Sequence, residues 1–145
     1  MPIELDLTQA PVVFTKFDGE QTLEELERYI ADMEAVFARR QPYFSVTWLK
    51  RYARDPQQIR RTAAWFKDRE QVIKELCIAT TIISTSAALR FALSTLFLIR
   101  PIREPYSVCA TFDEAMTFGQ QAFNKRGLRL SPSIRNPWPD FAPPR

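Results

Sequence analysis

Residues 77–101 read CIATTIISTSAALRFALSTLFLIRP and form the least polar stretch of the chain. Where this segment goes constrains every other assignment. A helix that crosses a bilayer needs about 20 consecutive apolar residues. Here Arg90 falls in the middle of the run, and a central arginine costs roughly 2.5–3.5 kcal/mol on insertion. Seven Ser and Thr residues dilute it further. No membrane span is therefore expected. The texture also changes partway. Residues 79–84, ATTIIS, are β-branched and favour a strand. From Ala87 onward Ala, Leu and Phe favour a helix. Thr85 or Ser86 stands ready to cap that helix, and Pro101 stops it. The spacing turns Leu89, Leu93, Leu96 and Phe97 toward a sheet. Phe91 and Leu98, near Arg90, point elsewhere. They are covered by the chain's own tail or another helix, or they meet a partner.

Composition removes several chemistries. The chain of 145 residues has the length of one domain and enough apolar side chains to fill one core. It has no histidine, so the usual general base and commonest metal ligand are missing. Its three glycines, at 19, 119 and 127, are too far apart for a phosphate-cradling loop. Cys77 and Cys109 lie in apolar runs and read as buried, reduced thiols of a cytoplasmic protein. The first residues, MPIELDLTQAP, do not read as a signal peptide. A net charge of +3 is a mild basic bias, so nucleic acid is not an expected partner. No cofactor and no metal site is expected, and no arrangement of nucleophile, base and oxyanion donor is legible.

The remaining elements follow from local signals. Residues 3–7 and 11–17 read as strands, joined by a TQAP turn. Thr22 and Glu25 form a capping box for a long helix with Leu26, Ile30, Met33 and Phe37 inside. Residues 42–49 read as a strand, followed by a basic loop, KRYAR. Asp55-Pro56 opens a second helix, with Gln58 as a box-like partner of Asp55. Ile59, Ala63, Phe66, Ile73 and Leu76 trace its inner face. A last strand, YSVCAT, precedes a helix capped by Thr111 with Glu114 and stopped near Gly127. The order β-β-α-β-α-β-α-β-α predicts a single α/β domain over residues 1–127. Its sheet is mixed and mostly parallel, with about five strands and four helices. Residues 128–145, with five prolines, form an extended tail whose large anchors are Trp138 and Phe141.

That order resembles the STAS domain family of anti-sigma-factor antagonists and the lipid-cavity folds related to it. The marks that carry the resemblance are VVFTKFDG before a capped helix, YFSVTWL as central strand, ATTIISTSAALRFALSTLF, and YSVCATFDEAMTF. The resemblance implies a non-enzymatic regulatory or scaffold module that binds another protein, its own copy included. The alternative it implies is a carrier of a lipid or small apolar ligand, held in a cavity between the third helix and the sheet. Phospho-regulated members carry a Ser or Thr at the start of the helix after the central strand. Here that place reads RYARDPQQIRR with Asp55 at the cap, so a phosphorylation switch is not implied. Two surfaces are the candidates for partner binding. One is the start of the second helix, with Arg54, Asp55, Arg60 and Arg61. The other is the outer face of the third helix, with Arg90, Phe91 and Leu98.

Overall fold

The structure, a computed structural model, describes residues 3–19, 21–52, 55–99 and 104–141. Strand β1 (Ile3–Asp6) pairs antiparallel with β2 (Val12–Gly19). Helix α1 (Leu23–Ala38) leads to β3 (Tyr43–Tyr52), and α2 (Pro56–Asp68) and α3 (Glu70–Leu76) lead to β4 (Cys77–Ile83). Helix α4 (Ala87–Ile99), β5 (Tyr106–Cys109) and α5 (Phe112–Lys125) complete the order. The sheet runs β1-β2-β3-β4-β5, and every pair after the first is parallel. The α/β class and the mostly parallel sheet are as expected; five helices stand among the described residues where four were expected.

Side chains alternate across a strand, and this divides the core in two. Val12, Phe14, Phe44, Val46, Trp48, Ile83 and Cys109 face α5 through Ala115, Ala122 and Phe123. On the other face Val13, Tyr43 and Cys77 meet Leu26, Ile30, Met33, Val36 and Phe37 of α1, with Trp65 and Leu76. The Thr22 capping box that starts α1 is present: the Thr22 hydroxyl accepts from the Glu25 amide at 3.1 Å, and Glu25 accepts from the Thr22 amide at 3.3 Å.

Two assignments change. The residues Lys50, Arg51 and Tyr52, read as a loop, continue β3, because a bulge after Phe17 lets Asp18 and Gly19 pair with Arg51 and Tyr52. The single second helix is two, broken at Arg69 (φ −104°, ψ 9°). There the Arg69 guanidinium donates to the Glu34 carboxylate of α1 at 2.7 Å, and Trp65 donates to the same oxygen at 3.2 Å. With the break, Trp65 lies inward and Ile59, Ala63 and Phe66 are exposed, which overturns the first part of the expected inner face; Ile73 and Leu76, in α3, do pack inward as expected.

The tail through Phe141 folds back over the α5 face. Leu130 is buried there, and Ile134, Trp138 and Phe141 pack against the same cluster. Gln9 clamps it from the β1–β2 turn: its amide donates to the Arg135 carbonyl at 2.8 Å and its oxygen accepts from the Arg135 amide at 2.7 Å. Trp138 meets Trp48 edge-on with centroids 5.3 Å apart. Phe141 lies under the ammonium groups of Lys16 and Lys50, at 5.0 and 5.4 Å.

Helix α5 lies close to the sheet because Gly119 has no side chain; a Cβ there would sit inside the Phe44 ring. Gly119→Ala is expected to cost about 1–3 kcal/mol through overpacking, read from urea unfolding, whereas Gly127→Ala acts only through its left-handed backbone (φ 70°). Burial pushes the Cys77 thiol up to about 11 from 9.0, and it pushes the neighbouring Tyr43 phenol up as well. The unfolded chain therefore loses these protons first, so stability is complete below about pH 9 and falls as pH rises toward 11, by roughly 2–3 kcal/mol for Cys77. Urea midpoints across that range check this, and Cys77→Ala removes that share of the slope.

Candidate functional site: the outer face of helix α4

Helix α4 is started by serines. The Ser84 hydroxyl accepts from the Ser86 amide at 3.2 Å, and the Ser86 hydroxyl accepts from the Leu89 amide at 3.1 Å. Of the two expected caps, Ser86 does the capping. The helix packs chiefly on β5, the sheet's edge strand. Phe97 meets Tyr106 edge-to-face at 4.8 Å. Cys109 points to the α5 side, so Tyr106, three residues back, points to the other side, the one α1 covers.

Leu89, Leu93 and Phe97 are half-buried, and no residue of α4 is fully buried. Leu96, expected inside, is 49% exposed. Phe91, Leu98 and Ile99 are 75%, 78% and 72% exposed. The one charge of the helix does not join them. Arg90 is half-buried and folds back to donate to the Ser84 carbonyl at 2.6 Å. The Thr95 hydroxyl donates to the Phe91 carbonyl at 3.0 Å, so its proton is already placed within the helix. The expectation that Arg90 shares the outer surface with Phe91 and Leu98 is corrected on this geometry. What remains outside is an uncharged face with Phe91, Leu98 and Ile99, roughly 400–500 Å² at about 200 Å² for a fully exposed side chain, while exposed Leu96 lies about 140° round the helix from Phe91. That is the size of the largest apolar patch on an ordinary monomer, about 300–600 Å², and such a patch is often functional.

The covering expected from the chain itself is not what the tail provides. Trp138 and Phe141 dock over Trp48, on the sheet face opposite Tyr106 and Phe97. Leu130, buried at 2%, is a tail anchor that sequence reasoning missed; a leucine alternating with Arg129 and Ser131 in a proline-rich segment gave only a weak signal.

The other candidate surface is differently built. Asp55 caps α2 by accepting from the Gln57 amide at 2.9 Å. Gln58 is not its box partner; it turns inward and donates to the Gln21 carbonyl at 2.6 Å. Arg61 donates to both carboxylate oxygens of Glu27 on α1, and this holds the Glu27 carboxyl below its ordinary range. Arg60 is exposed. Arg54 lies outside the described residues. Arg61 thus laces α2 to α1, leaving Asp55 and Arg60 at the surface. The structure does not bring this surface together with α4: one belongs to the α1–α2 side chains, the other to the β5 edge.

A cavity of about 450 Å³ runs along β1, between Tyr29 and Asp32 of α1 and Trp138 of the tail. It lies at the sheet edge opposite α4. Among the described residues no group of His, Cys, Asp and Glu is placed to hold a metal ion, and no helix is long and apolar enough to cross a membrane.

If the outer face of α4 contributes nothing to the chain's own packing, Phe91→Ser with Leu98→Ser leaves the unfolding free energy within about 0.5 kcal/mol. Leu93→Ala, on the inner face, costs more, roughly 1–2 kcal/mol. Chemical denaturation of the three proteins, at chain concentrations well below micromolar, compares them as monomers.

Comparison with family models, with curated proteins and with solved structures found no match.

Proposed function

We propose that the chain is a non-enzymatic protein-binding module, of regulatory or scaffold type, whose working surface is the outer face of α4. One observation carries this reading: a 13-residue helix presents Phe91, Leu96, Leu98 and Ile99 to solvent while its only charge is folded inward. A face of that kind gains by being covered. The resemblance of the sequence to the STAS family supports the same role. The buried free thiols fit a reducing, cytoplasmic setting. The α2 start is the weaker surface, because Arg61 is already matched by Glu27. A carrier of lipids or small apolar ligands would hold its cargo beneath α4, whereas the 450 Å³ cavity lies along β1 with charged Glu4, Asp6, Glu25 and Arg28 in its lining.

A photo-cross-linking side chain introduced at position 98 tests this in expressing cells. A discrete protein adduct is expected at position 98, and none at an exposed control such as position 124. Adducts to lipid alone, or equal labelling at both positions, would overturn the reading.

A further inference from the structure

We propose that the partner of α4 is a second copy of α4, packed antiparallel about a two-fold axis at the level of residue 93. This rests on the reading of α4 as the binding surface and names its occupant.

The spacing of the outward residues carries the inference. Ala88, Phe91, Thr95 and Leu98 are separated by three, four and three residues. At 3.6 residues per turn they fall within about 80° of one another. They lie opposite Leu89, Leu93 and Phe97, which meet the chain's own sheet. This is the a/d spacing of a helix–helix seam, facing away from the protein. An ordinary surface helix has one apolar stripe; α4 has two, and only one is used.

The order of sizes along the seam selects the partner. It reads small, large, small, large. An antiparallel pair centred at residue 93 sets Ala88 against Leu98 of the partner copy and Phe91 against Thr95 of the partner copy. The two-fold axis repeats both layers. Every layer then joins a small side chain to a large one, the condition for filling a core without voids or clashes. A parallel pair would stack Phe on Phe and Ala on Ala, crowding one layer and emptying another. The chain's own seam is therefore its own complement in one orientation.

Charge agrees with geometry. The residues flanking the seam are Ala87, Ala92, Ser94 and Ile99, all uncharged. Nothing there encodes a differently charged partner, and nothing repels a like copy. Arg90, bound to the Ser84 carbonyl, stays out of the contact. Antiparallel helices also bring opposite dipole ends together. The area is modest. Covering both faces removes roughly 800–1,000 Å², below the lower limit of about 1,200 Å² for standard stable complexes. The dimer should accordingly dissociate on dilution, with a constant on the order of micromolar.

Sedimentation equilibrium of the purified full chain over a wide concentration range gives the test. The wild type is expected to show a reversible monomer–dimer equilibrium. Phe91→Thr should raise the dissociation constant about tenfold or more by emptying two layers. Thr95→Phe alone should also weaken pairing, by placing Phe against Phe. The double variant Phe91→Thr with Thr95→Phe exchanges large and small within each layer, and it should return the constant to within about threefold of wild type. Circular dichroism confirms that each variant is folded. A wild type that stays monomeric at every concentration overturns self-pairing, as does a dimer indifferent to Phe91→Thr. A dimer weakened by both single changes and not restored by the double one overturns the antiparallel register. A monomeric chain that still forms a heavier protein adduct through position 98 in cells would sink this inference and leave the binding-module reading standing.

Discussion

The handedness of the crossover between parallel strands governs this molecule. Strands β2 to β5 join the sheet in chain order, each beside the last. A right-handed connection repeated in one direction sends every linking helix to the same face. Helices α1, α2 and α3 obey, and together they cover Val13, Tyr43 and Cys77. The final link, α4, obeys as well, but it belongs to the edge strand β5 and no later link lies beyond it. Its exposure is a result of topology. The apolar residues on its far side were supplied in addition, since solvent there would accept any polar residue.

Only the element after the last strand is free to take the opposite face. Helix α5 does so, and the close approach at Gly119 lets it lie flat on Phe44. It is too narrow to cover the whole face, which extends to Phe14 and Trp48. The tail finishes the layer with Leu130, Ile134, Trp138 and Phe141. A proline-rich segment suits this task, because it loses little freedom on becoming ordered and needs few backbone partners. The aromatic rings of Phe14, Trp48, Phe112 and Trp138 form a continuous cluster across the seam between helix and tail.

Local chemistry made much of the fold legible. The Thr22–Glu25 box, the Asp55-Pro56 start, the Thr111 cap and the change of texture between Ile83 and Ala87 each depend on neighbours within a few residues. Several of the failures involve partners far along the chain. Trp65 is drawn in and Ile59 and Phe66 turned out because Glu34, some thirty residues earlier, binds Trp65 and Arg69. Gln58 leaves Asp55 for a carbonyl at Gln21. Tyr52 belongs to a strand because Gly19 pairs with it. On α4, helical spacing placed Phe91 and Leu98 outside correctly, but it assigned Leu96 inward. A helix at the edge of a sheet uses a narrower stripe than one at its centre, and the sequence does not reveal how wide the floor beneath it is.

The tail's position has a bearing on biosynthesis. Residues 128–141 are the last of those described to leave the ribosome, yet they cover rings contributed by β2 and β3, more than eighty positions earlier. For that interval the nascent chain carries Trp48 without its lid, and translation speed across the proline-rich segment sets how long chaperones have to shield it.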